Sequence, residues 1–117
     1  MNLYEYFKAL TMNTNRMLNP VTISVDESRN LASISYNLIS PQFSWDIPWM
    51  KSARGLIVDT LTGEVVARPY PKFFNYGENK MAYWPDNTEG MVIEDKLDGS
   101  LVIITTHKDK LLVASSA

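Results

Sequence analysis

Glu94, Lys96 and Asp98 stand two residues apart in a stretch that runs into Gly99 and Ser100. In extended geometry such residues share one face, so a primary amine would emerge between two carboxylates. An Asp-Gly pair turns a β-hairpin readily, and the apolar runs 91–93 and 101–106 on either side read as strands. A lysine held stiffly in that setting could serve as a covalent nucleophile at the mouth of a nucleotide pocket. The same residues also describe a plain hairpin turn with a solvated lysine at its entry. The clustering of two carboxylates around the amine favours the pocket, because a surface hairpin has no need of it.

A lysine is ordinarily an ammonium ion at neutral pH and cannot attack phosphorus in that form. Nearby cations favour the neutral amine and would also offset charge on a departing polyphosphate. Arg54, Arg68, Lys72 and Lys80 lie within one short interval and could supply such a site. Glu94 and Asp98 act in the opposite direction unless they engage metal, nucleotide hydroxyls or backbone amides.

The elements that must position these groups come from a chain of 117 residues, enough for one domain with a modest core. Hydrophobic residues make up 45% and charged residues 21%, the composition of a soluble globular protein. Eleven basic against thirteen acidic residues give a net charge of −2. That balance argues against broad nucleic-acid binding driven by bulk charge, though a local phosphate site of three or four cations remains compatible with it. No apolar run reaches the length of a membrane span, and the first residues lack the pattern of a signal peptide. With no cysteine there is no disulfide framework and no thiolate metal site, and the cytoplasm is the default compartment.

Leu3, Phe7 and Leu10 recur at helical spacing with Asn2 as a cap, predicting an N-terminal helix. Residues 13–20 read as a loop. Residues 21–25 and 31–36 predict a hairpin across the polar turn 26–30. Residues 39–48 hold two prolines and read as an irregular connection carrying Phe43 and Trp45. Residues 55–59 and 64–68 predict a second hairpin turned at Leu61-Thr62-Gly63, and 69–79 a loop or short helix. Three further strands are expected at 91–93, 101–106 and 111–114, joined by 96–99 and 107–110. The fold class is therefore α+β, an antiparallel sheet built from hairpins with an N-terminal helix. The last strand, left as an uncovered edge, suggests either an oligomer or a longer protein.

The sequence resembles the phage T4 RNA ligase 1-like family of covalent nucleotidyltransferases. E-x-K-x-D-G matches the signature of enzymes that form a lysyl-nucleotide. Ala53-Arg54-Gly55-Leu56-Ile57, then Arg68-Pro69-Tyr70-Pro71-Lys72-Phe73-Phe74-Asn75, precede it in the family's order at compatible spacing. The resemblance covers about residues 35 to 113 and implies a partial nucleotidyltransferase fold over residues 1–117, incomplete at its C-terminus.

By that resemblance Lys96 is the nucleophile on the α-phosphorus of ATP, and Arg54 and Lys72 contact the triphosphate. Phe74 lies near the nucleotide, with Phe73 in the core. Glu94 lies on the adenine side, while Asp98 and Gly99 shape the pocket, Asp98 with a further role in sealing. ATP and Mg²⁺ are the implied cofactors, with no metal ligand assignable. RNA ends, with those of tRNA as one candidate, are the implied partners, in a host cytoplasm if the gene is phage-borne. The family's later motifs, which complete the adenine sandwich and the α-phosphate clamp, cannot be placed in this chain. Two other readings therefore stand beside an RNA ligase acting through lysyl-AMP. One is a catalytically incomplete module that binds nucleotide or RNA ends, and the other is a structural or oligomerising domain. Trp45, Trp49, Tyr83 and Trp84 could stack bases, but packing is the simpler expectation for each, as solvation is for His107.

Overall fold

Asn2 starts the first element, its side chain accepting a hydrogen bond from the Glu5 N–H at 2.9 Å. This caps α1 (Leu3–Ala9), with Glu5 in the first turn and Lys8 in the last complementing the helix dipole. The computed structural model describes residues 1–78 and 86–115. In it, Phe7 leaves α1 and is fully buried against the sheet. The loop predicted over 13–20 contains a 3₁₀ turn, Arg16–Leu18, capped by Asn15.

Four antiparallel strands follow one another in space as in sequence: β1 (Val21–Asp26), β2 (Leu31–Tyr36), β3 (Arg54–Asp59) and β4 (Val65–Ala67). Alternation divides their side chains between two faces. Val21, Ala32, Ile34, Leu56 and Val58 form the first face, closed by Phe7 and by Met50 and Ala53 from the connection between β2 and β3. That connection is irregular, as expected, and is tied to the helix where the Tyr6 hydroxyl donates to the Pro48 carbonyl at 2.7 Å.

The second face carries Leu31, Ile57 and Ala67 and is covered by a separate hairpin, β5 (Val102–His107) and β6 (Lys110–Ser115). Ile103, Leu112 and Ala114 face inward onto it. Val102, Ile104, Leu111 and Val113 alternate with these and are exposed, an apolar outer face. Sheet β1–β4 is thus packed on both sides. This bears out the predicted α+β class with an N-terminal helix and antiparallel sheets. No helix among the described residues is long and apolar enough to cross a membrane.

Three expectations fail here. Residues 91–93 form no strand, and 96–99 is not a hairpin turn but part of an exposed, irregular stretch with a bend at Gly99. The apolar run has no ladder partner among the described residues, and Val92 and Ile93 remain 76% and 78% exposed. A strand that neither pairs nor buries a face has nothing to hold it. His107 is likewise not in a solvated turn. It ends β5, paired with Lys110, because the turn is only Lys108 and Asp109, both at positive φ.

Asp59 fixes the β3–β4 turn. Its Oδ1 accepts from the Thr62 and Leu61 N–H groups at 3.0 and 2.7 Å. These bonds, the Thr62 N–H first, hold its carboxyl below the usual carboxylate range, with help from Lys108 and His107. Gly63 in the same turn has φ +76 and touches α1, since a Cβ there would lie 2.5 Å from Asn2. A carboxyl with a lowered folded-state value stabilises the fold above its unfolded value, and loses that contribution as pH falls through the folded one. Asp59→Asn should therefore cost about 1 kcal/mol at pH 7. The difference should shrink towards zero below about pH 4. Urea midpoints of both proteins across pH check it.

Candidate functional site

Gly55 decides which way Arg54 faces. Ile34 pairs with Leu56 and Ser35 pairs with Arg54, so Gly55 is an extra residue in β3. It sits at φ +83, the conformation of a glycine bulge. Without the bulge, alternation would place Arg54 on the Leu56 and Val58 face, inside the first core. With it, Arg54 emerges with Ile57 on the second face.

There it meets the chain leaving β4. An Arg54 terminal nitrogen donates to the Pro71 carbonyl at 3.2 Å, and the guanidinium lies 5.7 Å from the Phe73 ring centroid. The Lys72 N–H donates to the Lys51 carbonyl at 2.7 Å, pinning this segment to the 3₁₀ turn Met50–Ser52. Lys72 and Phe74 project together on one side. Lys72 Nζ is 5.6 Å from the Phe74 ring and 5.9 Å from Trp45, and Lys51 Nζ is 5.9 Å from Phe74. Trp45 meets Phe74 edge to face at 5.4 Å and joins Tyr36 and Phe43 behind it.

Arg68 meets the turn Met50–Ser52 separately. It donates to the Ser52 hydroxyl at 3.2 Å and lies 5.1 Å over the Trp49 ring. Trp49 itself is at φ 69, a left-handed conformation that is costly for a bulky residue. A hollow of about 490 Å³ opens beside Arg68, lined by Trp45, Asp46, Trp49, Lys51 and Ser52 as well. Among the described residues no carboxylate pairs with Arg54, Arg68 or Lys72. Each of the three rests on an aromatic face, a setting that keeps a cation at the surface where it can meet an anion.

The structure thus gathers Lys72 and Phe74 with Trp45, and sets Arg54 against Phe73 and the Pro71 carbonyl of the same segment. It does not bring Glu94, Lys96, Asp98 or Gly99 to them. These four lie in the exposed 91–100 stretch, and among the described residues none of their side chains makes a hydrogen bond or ion pair. The inward assignment of Phe73 is corrected: it is 56% exposed beneath Arg54, because alternation after Pro71 turns Lys72 and Phe74 towards Trp45 instead. Trp45 packs as expected, and Trp49 stays partly exposed. Lys80, Tyr83 and Trp84 lie outside the described residues.

Lys51 and Ser52 join the site with no signal in the sequence to mark them. Their place depends on the left-handed Trp49 and the turn after it, and nothing in the local sequence announces either. Among the described residues no three acidic or imidazole side chains converge as a metal site.

Comparison with known proteins supplies a relation that geometry alone does not. A family model described as RNA ligase, of the phage T4 type, matches residues 52–117. A protein of Thermovibrio ammonificans named "Putative RNA ligase" is 33% identical over 78 residues, which is 65% of this chain and 20% of that protein. The chain therefore spans about a fifth of the length of the curated relative it matches. The matched span runs from the 3₁₀ turn through Arg54, Lys72 and Phe74 to Lys96 and the last hairpin.

Proposed function

The chain belongs to the phage T4 RNA ligase family, and from that membership we propose that it is a nucleotide-binding portion of an RNA ligase whose own site is catalytically incomplete. One observation carries this reading. Lys72 and Lys51 lie over Phe74, Arg54 lies against Phe73 of the same segment, and Arg68 lies over Trp49 beside Ser52, while Lys96 stands exposed and unsupported. The cluster can hold a triphosphate and an aromatic base without any contribution from residues 91–100. ATP is the proposed ligand. Mg²⁺ would enter on the nucleotide's phosphates, the usual way this ion is carried when carboxylates are few.

Lys96 gives a second reading its weight. The spacing of Glu94, Lys96, Asp98 and Gly99 matches the lysyl-nucleotide signature, and attack of Nζ on the α-phosphorus would expel pyrophosphate. That reaction needs Lys96 brought against the Arg54–Lys72 cluster. The exposed apolar face of Val102, Ile104, Leu111 and Val113 is a surface on which further ligase sequence could pack and fix the preceding stretch. RNA ends are the proposed second substrate of the whole enzyme, with the joining of a 5′-phosphate to a 3′-hydroxyl as its reaction.

Incubation with Mg²⁺ and α-labelled ATP separates the two. Saturable ATP binding with no label retained after denaturation is the result expected of the 117-residue chain. Label that survives denaturation and disappears in Lys96→Ala would move the chain to the covalent reading. Absence of both binding and label would leave only a structural domain.

A further inference from the structure

The stretch before β5 is strongly acidic. Residues 86–98 hold five of the chain's thirteen acidic residues, Asp86, Glu89, Glu94, Asp95 and Asp98, against one lysine, Lys96. Asp95 is exposed and, among the described residues, makes no hydrogen bond or ion pair. It lies between the residues of the lysyl-nucleotide signature and is not one of them. Two residues to either side stand Ile93 and Leu97, 78% and 87% exposed.

A groove suited to such a segment lies within its reach. Leu101, Val102 and Ile103 at the start of β5 line it with Arg68, Tyr70 and Pro71. The Pro71 carbonyl accepts the hydrogen bond from Arg54, so Arg54 and the Phe73 beneath it adjoin the groove. Tyr70 and Phe73 present exposed rings. Arg54 uses one of its five N–H donors on Pro71 and has no carboxylate partner among the described residues. Leu97 is four residues from Leu101 and Asp95 is six, spans of at most about 14 and 21 Å. Gly99 forms the bend between them, at φ +133 with open space around it.

We propose that residues 91–98 close as a strap over this groove, with Asp95 on the Arg54 guanidinium, Leu97 on Tyr70 and Ile93 on Phe73. Alternation along an extended strap puts these three side chains on one face and turns Lys96 to the other. The closed strap therefore occupies Arg54 with a carboxylate and holds the lysine away from the cations, an autoinhibitory contact that a polyphosphate displaces. This rests on the reading of Arg54 as part of a nucleotide site. An exposed ion pair by itself contributes little. Here the short tether makes the encounter intramolecular, and two apolar side chains leave water together with the carboxylate.

The chain has no cysteine, so a nitroxide attached to Glu94→Cys marks the strap at one place, on the face away from the groove. In nuclear magnetic resonance spectra at about 50 mM salt, the backbone amides of Arg54, Tyr70 and Phe73 should lose about half their intensity or more to the label. Adding Asp95→Asn should restore most of it, as should about 500 mM salt, which screens exposed charges. Amides untouched by the label, or equally affected with and without Asp95, would overturn the proposal. Asp95→Asn alone, a change at an exposed side chain, should bind ATP about threefold more tightly than the parent at the lower salt, because the parent's site is open only part of the time. Equal or weaker binding than a parent that does bind ATP would overturn the autoinhibition. Label effects that depend on Asp95 in a chain that binds no ATP would sustain the strap and refute the nucleotide-binding reading instead.

Discussion

Gly55→Val is expected to remove most nucleotide binding and, at the same time, about 2–3 kcal/mol of stability. The residue is at φ +83, where a β-branched side chain is strongly strained. Relief by removing the bulge would restore simple alternation along β3 and turn Arg54 towards Leu56 and Val58, both fully buried. An unpaired guanidinium is not tolerated in that core. The chain must then either hold the strain or lose the register of β3 against β2. Urea denaturation together with ATP titration measures both effects. Gly55→Ala, which keeps a smaller side chain, should fall between the parent and the valine variant. A valine variant with the parent's midpoint and affinity would mean that the bulge does not set the direction of Arg54.

The second large effect is on binding alone. Arg54→Ala and Lys72→Ala should each weaken ATP binding by about tenfold or more, since hydrogen bonds to charged groups contribute roughly 1.5–3 kcal/mol. Each step of about 1.4 kcal/mol is a factor of ten. Both side chains are only partly buried and rest on aromatic rings, contacts worth about 0.5–1 kcal/mol at such sites. Stability should therefore change little while affinity falls, and a double variant should lose about a hundredfold. Thermal unfolding run beside the titrations separates the two quantities. Equal losses of stability and affinity would instead mark the pair as structural.

Much of the fold is legible in the residues themselves. Leu3, Phe7 and Leu10 mark the helix, and the two polar turns 26–30 and 61–63 mark hairpins whose strands alternate. Local pattern suffices because each of these elements has its partner next in sequence. The site is less legible, because it depends on departures from pattern. Arg54 is identifiable as a cation in a motif, but its direction rests on one glycine bulge. Lys51 takes its place from the backbone of Trp49, which no composition rule reveals. Phe73 and Phe74 are adjacent, and only the path after Pro71 decides which one faces Trp45.

The run 91–93 misleads for the opposite reason. Three apolar residues resemble a strand, yet strand structure needs a paired edge, and among the described residues none is present there. Lys96 therefore stands in the sequence as the clearest chemical signal and in the structure as the least supported one. The cations proposed to hold phosphate are positioned by strands and turns of the fold, whereas Lys96 lies in the exposed 91–100 stretch.

Calorimetric titration of the chain with ATP, for the parent, Lys96→Ala and the Arg54→Ala, Lys72→Ala pair, shows which residues hold the nucleotide. Saturable one-site binding is expected, which Lys96→Ala leaves unchanged and the paired variant weakens about a hundredfold, at roughly 1.4 kcal/mol for each tenfold. Binding that collapses in Lys96→Ala but survives loss of Arg54 and Lys72, or no saturable binding at all, would contradict it.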